Sequence, residues 1–400
     1  MFLNRRDLLK LSIFLPLAAP SWARTVSDWT GQLNRLFDRA KKQVLKALNL
    51  EEPLQIMTYM GYGTPQQLHF MGRVLQDEKI DHGTSAAPIW KNLLNMYRRF
   101  ESDEIPGAKL RLTFGDRTQE FETDAEGYFH TVVELAQPLE RDRLWYTAEL
   151  ELLEPEPPKQ ERVTAIAPAR IPGATAQFGL ISDVDDTVVN TGGDNFFRMV
   201  QMAYLGNAYT RIPLPGMARL YQALESGDRG ERGNPIFYVS SSPWNMYDVF
   251  ERFIAIHGLP PGPVFLHDIE LALDNILSFS HEKHKRQQIE PILQLYSDLP
   301  FILVGDSGQQ DAEIYARLVQ DYPGRILCIY IREVNPADQK RRQVLEAIAA
   351  EVAHQGSELV LMSSTVVAAN HAAQQTWISQ AALTALQEET GDRSDSINSA

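Results

Sequence analysis

The sequence crowds carboxylates into one short stretch. Residues 179–193 read GLISDVDDTVVNTGG, so three aspartates and a threonine stand within five positions, directly behind an apolar run. These residues are Asp183, Asp185, Asp186 and Thr187. Because carboxylates at this spacing repel one another, the cluster indicates a site that binds positive charge.

Other polar residues follow similar apolar runs further along the chain. Ser240 follows IFYV, and the motif GDSGQQD, which contains Asp306 and Asp311, follows FILV. Lys285 lies near the start of a predicted helix. If the apolar runs are parallel strands, their carboxyl ends meet at one edge of the sheet. Acids, a hydroxyl and an ammonium would then face one cavity.

The residue types at this edge suit a hard cation and a phosphate. Magnesium prefers oxygen ligands, and aspartates from two loops supply them. A lysine and a hydroxyl are suitable neighbours for a phosphoryl group. The sequence therefore predicts Mg²⁺-assisted phosphoryl transfer. It contains no G-x-x-x-x-G-K-[ST] loop, which favours a hydrolase over a kinase.

The elements that must position these residues alternate between strands and helices. From residue 174 to 335, short apolar runs are separated by longer segments with helical periodicity. This alternation is typical of a parallel sheet with flanking helices, and we assign a catalytic domain to 174–335. Within 336–388 the pattern predicts two helices, at 336–354 and 366–388, and residues 389–400 read as a disordered tail.

The half before this domain has a different pattern. Residues 51–153 contain short alternating runs between turn residues, which predict a small antiparallel β-sandwich-like domain. Residues 154–173 are rich in proline and charge and are predicted to be a linker. Residues 24–50 have the spacing of an amphipathic helix. Its basic face fits either a peripheral membrane contact or a solvated surface.

Residues 1–23 have the layout of a signal peptide. Two arginines, Arg5 and Arg6, precede an apolar run that is too short to span a membrane, and a small-residue cleavage site ends at Ala23. The paired arginines resemble a twin-arginine (Tat) export signal, with departures at Asn4 and Leu8. An ordinary secretory signal is the alternative. Either route predicts an exported, periplasmic protein, with membrane association left open.

Composition limits the remaining function classes. The chain has 400 residues, of which 44% are hydrophobic, and this is enough for a sizeable core and two or three domains. Its formal net charge of −14 argues against nucleic acid as a partner. It has one cysteine, Cys328, so no disulfide can form within the chain.

Three strings resemble a known family. D-x-D-x-T behind a strand is similar to the first motif of the haloacid-dehalogenase superfamily. ISDVDDT, YVSSSPW and FILVGDSGQQDAEIYA, in this order, resemble the catalytic domain of the actin-patch-protein family of phosphatidate phosphatases, relatives of the lipins. The resemblance covers about residues 178–334. It implies an α/β fold with a haloacid-dehalogenase-like, Rossmannoid parallel sheet and flanking helices.

The resemblance also implies roles for the clustered residues. Asp183 would be the nucleophile and form an aspartyl-phosphate, and Asp185 would act as general acid and then as general base. Thr187 would orient the loop, Ser240 would bind the phosphoryl oxygens, and Lys285 would offset the negative charge of nucleophile and phosphate.

The implied ligands of Mg²⁺ lie in the same two acidic motifs. They are Asp183, the backbone carbonyl of Asp185, and Asp306. Asp311 would be a further ligand or a residue that orients the others. Asp186 also fits a plain turn residue.

Neighbouring residues compete for two of these roles. Ser241 and Ser242 compete with Ser240, although both also fit caps of the helix that follows. Lys283 competes with Lys285, which better matches the family pattern.

The substrate is the least determined feature. Residues 190–216 are unusually apolar, which fits either core packing or an open site for a lipid phosphate. The resemblance favours phosphatidate, giving diacylglycerol and phosphate. Alternatives are a soluble phosphomonoester, or a non-catalytic module that binds lipid phosphate and would be expected to have lost an acid. A third alternative makes the N-terminal sandwich the functional part, with an unknown partner.

Overall fold

A computed structural model of the protein describes six stretches of the chain. They are 53–76, 105–156, 162–184, 214–230, 233–267 and 281–391. Apart from Pro53, all belong to the second of two compact units, Leu54–Ala400. Several predictions lie outside these stretches and stay predictions: the signal peptide 1–23, the helix 24–50, most of the apolar segment 190–216 and nearly all of the tail 389–400.

Seven strands form the first sheet. They are β1 (Leu54–Thr64), β2 (Gln67–Gln76), β3 (Lys109–Phe114), β4 (Arg117–Glu122), β5 (Tyr128–Glu134), β6 (Trp145–Glu154) and β7 (Thr164–Arg170). The order is β4-β3-β6-β7-β1-β2-β5, and every pair is antiparallel except β1 with β7. Side chains of β5 alternate between buried and exposed positions, as expected for a strand with one face on a core.

The two edge strands of this sheet meet through side chains. On β4, the Gln119 amide donates a hydrogen bond to the Thr131 hydroxyl of β5 over 2.6 Å, and Arg117 donates to the carbonyl of Glu134 over 2.6 Å. The enclosed core includes Leu68, Phe70, Leu110, Leu112 and Leu150. A two-sheet sandwich is therefore not what the described strands of 51–153 form. They belong to one sheet that curls onto itself.

The prediction of a linker at 154–173 is wrong over β7. This strand lies between β6 and β1, and its Ala167 and Ala169 are fully buried. The strand signal is weak because the inward side chains are small alanines and the strand contains Pro168, a residue that sheets usually tolerate only at edges or bulges.

Six parallel strands form the second sheet. They are β8 (Gly179–Asp183), β9 (Ile236–Pro243), β10 (Val264–His267), β11 (Phe301–Asp306), β12 (Ile326–Arg332) and β13 (Glu358–Met362), in the order β10-β9-β8-β11-β12-β13. All neighbouring pairs are parallel, which confirms the predicted α/β class. After β8, the chain adds β9 and β10 on one side of it, and then β11, β12 and β13 on the other side.

Seven α-helices are described around this sheet. They are α1 (Met217–Ser226), α2 (Tyr247–Ile256), α3 (His281–Leu295), α4 (Asp311–Asp321), α5 (Gln339–His354), α6 (Thr365–Gln374) and α7 (Gln380–Thr390). A 3₁₀ helix, Trp244–Met246, precedes α2. Within the described stretches, no helix has the length and apolar character needed to cross a bilayer.

The region 336–388 departs from its predicted two helices. Helix α5 confirms the first of them, but β13 follows it and extends the parallel sheet beyond residue 335. The second predicted helix is split into α6 and α7. Between them Thr376 has a left-handed backbone, with φ of 58°, which no continuous α-helix contains.

The two sheets share buried contacts. Tyr59 of β1 stacks on Trp244 with ring centroids 4.9 Å apart, and the Tyr296 hydroxyl donates to the carbonyl of Gly63 over 3.0 Å. Tyr59 and Tyr62 are part of the same hydrophobic core as the parallel sheet. The curled sheet therefore contributes directly to the packing of the α/β part.

Candidate active site

The strand β8 ends at Asp183, and its neighbours determine what meets it there. Asp183 is in register with Val239 of β9, and Ser182 is in register with Val304 of β11. Ser240 and the Gly305–Asp306 pair therefore come next to Asp183 at the carboxyl edge. The strand order reverses between β8 and β11, and this is where a crevice forms in open α/β sheets.

The Asp306 carboxylate is fixed by backbone amides. The amides of Gly308 and Gln309 donate to Asp306 Oδ1 over 2.6 and 3.0 Å. The Asp306 amide itself donates to Asp311 Oδ2 over 3.1 Å. Both side chains are fully buried. The spacing of the GDSGQQD motif thus allows the Asp311 side chain to accept a hydrogen bond from the backbone of Asp306.

Gly305 makes this hydrogen bond sterically feasible. A Cβ atom at this position would lie 2.6 Å from Cβ and 2.8 Å from Cγ of Asp311. Real side chains do not approach so closely, so any larger residue would displace Asp311. The glycine of the motif is therefore required by packing.

Lys285 brings a positive charge into the cluster. It lies on α3, is 2% exposed, and places Nζ 3.6 Å from Asp183 Oδ1 while contacting Asp311 Oδ1. Burial alone would lower the pKa of this ammonium, but the carboxylates of Asp183 and Asp311 outweigh it and raise the pKa above its usual value. The side chain is therefore protonated. Lys283, its competitor in the sequence, is exposed.

The carboxylates suit a divalent cation. Oxygen atoms of Asp183, Asp306 and Asp311 lie within 4.8 Å of one another, and all three residues are buried. Together with Lys285 they carry two net negative charges, and burying such charge is costly unless it is balanced. An oxygen-only donor set of this kind fits a hard ion such as Mg²⁺.

A family comparison covers this whole cluster. Residues 178–333 match the family model described as "Phosphatidate phosphatase APP1, catalytic domain". This segment matches the APP1 family. We call residues 178–333 the APP1 segment; it contains Asp183, Ser240, Lys285, Asp306 and Asp311. The family predicted from the sequence is thereby confirmed, whereas its exported, bacterial type stays a prediction.

Two curated relatives match part of this chain. Phosphatidate phosphatase APP1 of Saccharomyces cerevisiae is 35% identical over 161 residues, which cover 38% of this chain and 25% of that protein. An uncharacterised protein of Schizosaccharomyces pombe is 28% identical over 156 residues, which cover 39% of this chain and 25% of that protein. The chain thus spans about a quarter of the length of these relatives.

One solved structure aligns with much of this chain, but only weakly. A carbohydrate acetylesterase from Xanthomonas citri aligns with 76% of this chain and 75% of its own, at 13% sequence identity. The TM-score of 0.26 is too low to indicate a shared fold or function.

Ser240 lies within β9, one residue after Val239, the register partner of Asp183. It is fully buried, and its hydroxyl accepts the amide of Ser242 over 2.9 Å. Ser241 and Ser242 are half-buried. Neither is the N-cap of the following 3₁₀ helix, which is Pro243, so their interpretation as caps is wrong.

Gln288 is a site residue that the sequence patterns did not indicate. Its amide group donates to the carbonyls of Ser240 and Leu266 over 3.3 and 3.1 Å. It therefore ties α3, which carries Lys285, to the ends of β9 and β10. The available signal was its position three residues after Lys285, since residues at this spacing share a helix face.

Two of the predicted site residues, Asp185 and Thr187, lie outside the described stretches, because one stretch ends at residue 184 and the next begins at 214. The neighbouring Asp186 lies outside them as well. Their implied roles stay predictions.

Proposed function

We propose that the APP1 segment is a Mg²⁺-dependent phosphatase of the haloacid-dehalogenase type. One observation carries the proposal. Asp183, Asp306, Asp311 and Lys285 meet in one buried cluster at the carboxyl edge of a parallel sheet, within a segment whose family is named for phosphatidate phosphatase. The position of the cluster at the reversal of strand order supports the proposed fold type.

In the proposed first step, Asp183 attacks the phosphorus atom. An oxygen of its carboxylate forms a bond to phosphorus while the bond from phosphorus to the leaving alkoxide breaks, which gives an aspartyl-phosphate. Asp185 donates its proton to the departing alkoxide. The Lys285 ammonium, 3.6 Å from Asp183 Oδ1, offsets the negative charge that gathers there.

In the second step, water releases the phosphate. The carboxylate of Asp185 takes a proton from the water, whose oxygen bonds to phosphorus as the bond to Asp183 breaks. The Asp183 carboxylate is regenerated, inorganic phosphate is released, and Asp185 is again protonated. We assign Ser240 to the phosphoryl oxygens and Thr187 to the orientation of the loop.

The metal fits the same cluster. Asp183, Asp306 and the backbone carbonyl of Asp185 would hold Mg²⁺, which when bound supplies positive charge against the phosphoryl oxygens. Both oxygens of Asp311 already have partners, Lys285 and the amide of Asp306. We therefore assign Asp311 to the orientation of those two residues rather than to direct ligation.

The proposed substrate is phosphatidate, which would be cleaved to diacylglycerol and phosphate. The yeast relative carries the name of this activity, and the apolar composition of 190–216 favours a lipid. A soluble phosphomonoester is the second candidate. A non-catalytic binding module is less favoured because Asp183, Asp185, Asp306 and Asp311 are all present.

The chemistry is tested by replacing the nucleophile. We expect Asp183→Asn to lower the hydrolysis of p-nitrophenyl phosphate by about 10³-fold or more, since nucleophile removal costs at least this much in well-studied hydrolases. The exposed Asp298→Asn is the matched control and should keep full activity. Equal rates for Asp183→Asn and the unmodified chain, or full activity in excess EDTA, would contradict the proposal.

The substrate is tested separately with the unmodified chain and Mg²⁺. Phosphatidate in phosphatidylcholine vesicles should give a higher kcat/KM than p-nitrophenyl phosphate or glycerol 3-phosphate. A preference for a soluble ester would exclude the lipid and leave the phosphatase chemistry standing.

A further inference from the structure

One arginine outside the APP1 segment binds the loop that follows β11. This residue is Arg341, on α5, and the loop comprises residues 307–310. The Arg341 guanidinium donates from Nε to the carbonyl of Ser307 over 2.9 Å and from Nη2 to the carbonyl of Gln309 over 2.8 Å. The loop is therefore held at two alternate carbonyls by one planar group.

The same guanidinium is itself held in place. Nη2 donates to Glu313 Oε2 over 3.0 Å, and Nη1 pairs with Glu313 Oε1. Glu313 lies in the first turn of α4, which starts at Asp311. This bidentate pair raises the pKa of Arg341, chiefly through the hydrogen bond with Glu313. Arg341 thus joins α5, the loop and the helix that carries Asp311.

The loop carbonyls and the site are connected through a single peptide group. The carbonyl of Ser307 and the amide of Gly308 belong to the same planar peptide, so its oxygen points away from its N–H. Arg341 binds that oxygen, while the N–H donates to Asp306 Oδ1 over 2.6 Å. A charged donor on the oxygen polarises the peptide and strengthens the bond made by its N–H.

We infer that Arg341 is a positioning residue that fixes the Asp306 carboxylate for a divalent cation. The inference rests on the proposed function, because it concerns the same metal site. A purely structural role, in which the Arg341–Glu313 pair only joins α5 to α4, is the competing explanation. If Arg341 positions Asp306, its loss weakens Mg²⁺ binding. If Arg341 only joins α5 to α4, its loss lowers stability and leaves the Mg²⁺ affinity unchanged.

The chain offers a matched control on the next residue. Arg342 is on the same helix and pairs with Glu333 at 3.7 Å and Glu346 at 3.5 Å, so neither partner in its described ion pairs is Glu313 or a residue of the loop. Glu313→Gln provides a second control, because it weakens the ion pair and leaves the two carbonyl bonds of Arg341 possible.

The experiment measures Mg²⁺ binding to the full chain by isothermal titration calorimetry. We expect Arg341→Ala to weaken Mg²⁺ binding by about 10- to 100-fold, as is typical when residues behind metal ligands are lost. Arg342→Ala and Glu313→Gln should bind Mg²⁺ within about threefold of the unmodified chain. Arg341→Lys, which keeps the charge but not the fork of donors, should fall in between.

The outcomes separate the inference from the proposed function. If the unmodified chain binds no Mg²⁺, the proposed function and the inference both fail. If it binds Mg²⁺ and Arg341→Ala binds equally well, the inference alone is overturned. Should Arg341→Ala fail to fold, Arg341→Lys decides: affinity equal to that of the unmodified chain overturns the inference, and a several-fold loss supports it.

Discussion

Asp311 performs two tasks with one carboxylate at the centre of the site. Oδ1 of Asp311 contacts the Lys285 ammonium, and Oδ2 accepts a hydrogen bond from the Asp306 amide. One side chain therefore orients both Lys285 and Asp306, a proposed metal ligand. Its position depends on the absence of a side chain at Gly305. The geometry of the site therefore depends on a residue that contributes no side chain of its own.

We predict that Gly305→Ala lowers phosphatase activity by more than its loss of stability explains. The new methyl group would displace Asp311 and with it Lys285, and misplacement by about 1 Å can lower kcat by about 100-fold. Overpacking should also lower the free energy of unfolding by about 1–3 kcal/mol. Both quantities can be measured, by phosphatase assay and by urea denaturation.

Gly324→Ala is the matched control. Gly324 has φ of 72°, and no atom lies within 4 Å of the place that an alanine methyl group would take, so alanine costs only backbone strain of about 1–2 kcal/mol there. It should lose stability and keep kcat. If both variants lose activity in proportion to their loss of stability, the prediction that a methyl group at position 305 displaces Asp311 is wrong.

At this scale the sequence predicted much of the site. The residue types and their places behind apolar runs were enough to bring Asp183, Ser240, Asp306 and Asp311 together. What they did not reveal is which groups bind each other, because those contacts depend on the register between strands and on helix orientation. Gln288 and Arg341 were missed for this reason, since neither belongs to a polar motif.

At the scale of elements, β7 is anchored to the α/β part by a buried ion pair. The guanidinium of Arg170 is 2% exposed and lies 2.8 Å from Glu225 of α1. It also donates to the carbonyls of Pro261 and Asn234 over 3.0 and 3.3 Å. A strand that the sequence presented as a linker thus carries a buried contact between the first sheet and helix α1.

We predict that Arg170→Met destabilises the protein strongly. It leaves Glu225 buried without its partner, which typically costs about 3–5 kcal/mol of unfolding free energy. The double variant Arg170→Met, Glu225→Gln should recover part of this loss, because the uncompensated charge is gone. Urea denaturation followed by circular dichroism measures both.

The exposed pair Arg219–Glu389 provides the comparison. Its side chains are 46% and 45% exposed, so Arg219→Ala should cost only about 0–1 kcal/mol. Equal losses for Arg170→Met and Arg219→Ala would show that the buried pair does not anchor β7.

The elements that the sequence misassigned share a physical cause. β7 is built on small alanines, and β13 reads E-L-V-L-M, a short run between two helical patterns. Local propensity does not mark either one strongly. Both become strands because neighbouring strands offer backbone groups for pairing: β7 pairs with β6 and β1, and β13 pairs with β12. Strand pairing over long sequence separation is information that periodicity does not contain.

At the scale of the molecule, the hydrophobic core that contains the APP1 segment extends beyond residues 178–333 in both directions of the sequence. The hydrophobic core around the parallel sheet includes buried residues from both sides of the segment: Tyr59, Tyr62, Leu345, Val352, Met362, Ala368 and Leu386. β13 also pairs with β12 from Cys328↔Glu358 to Arg332↔Met362. Removing it would expose the edge of β12, whose side chains are mostly buried.

We therefore predict that the fragment 178–333 does not fold on its own, and neither does the predicted domain 174–335. An exposed, apolar edge strand and an opened core favour aggregation. The fragment 54–391 keeps both sheets and all seven described helices, and it should be monodisperse in size-exclusion chromatography and unfold in one cooperative transition. A soluble 178–333 fragment that melts within a few degrees of 54–391 would mean that the curled sheet and the C-terminal elements are accessory, and that the catalytic edge is stable without them.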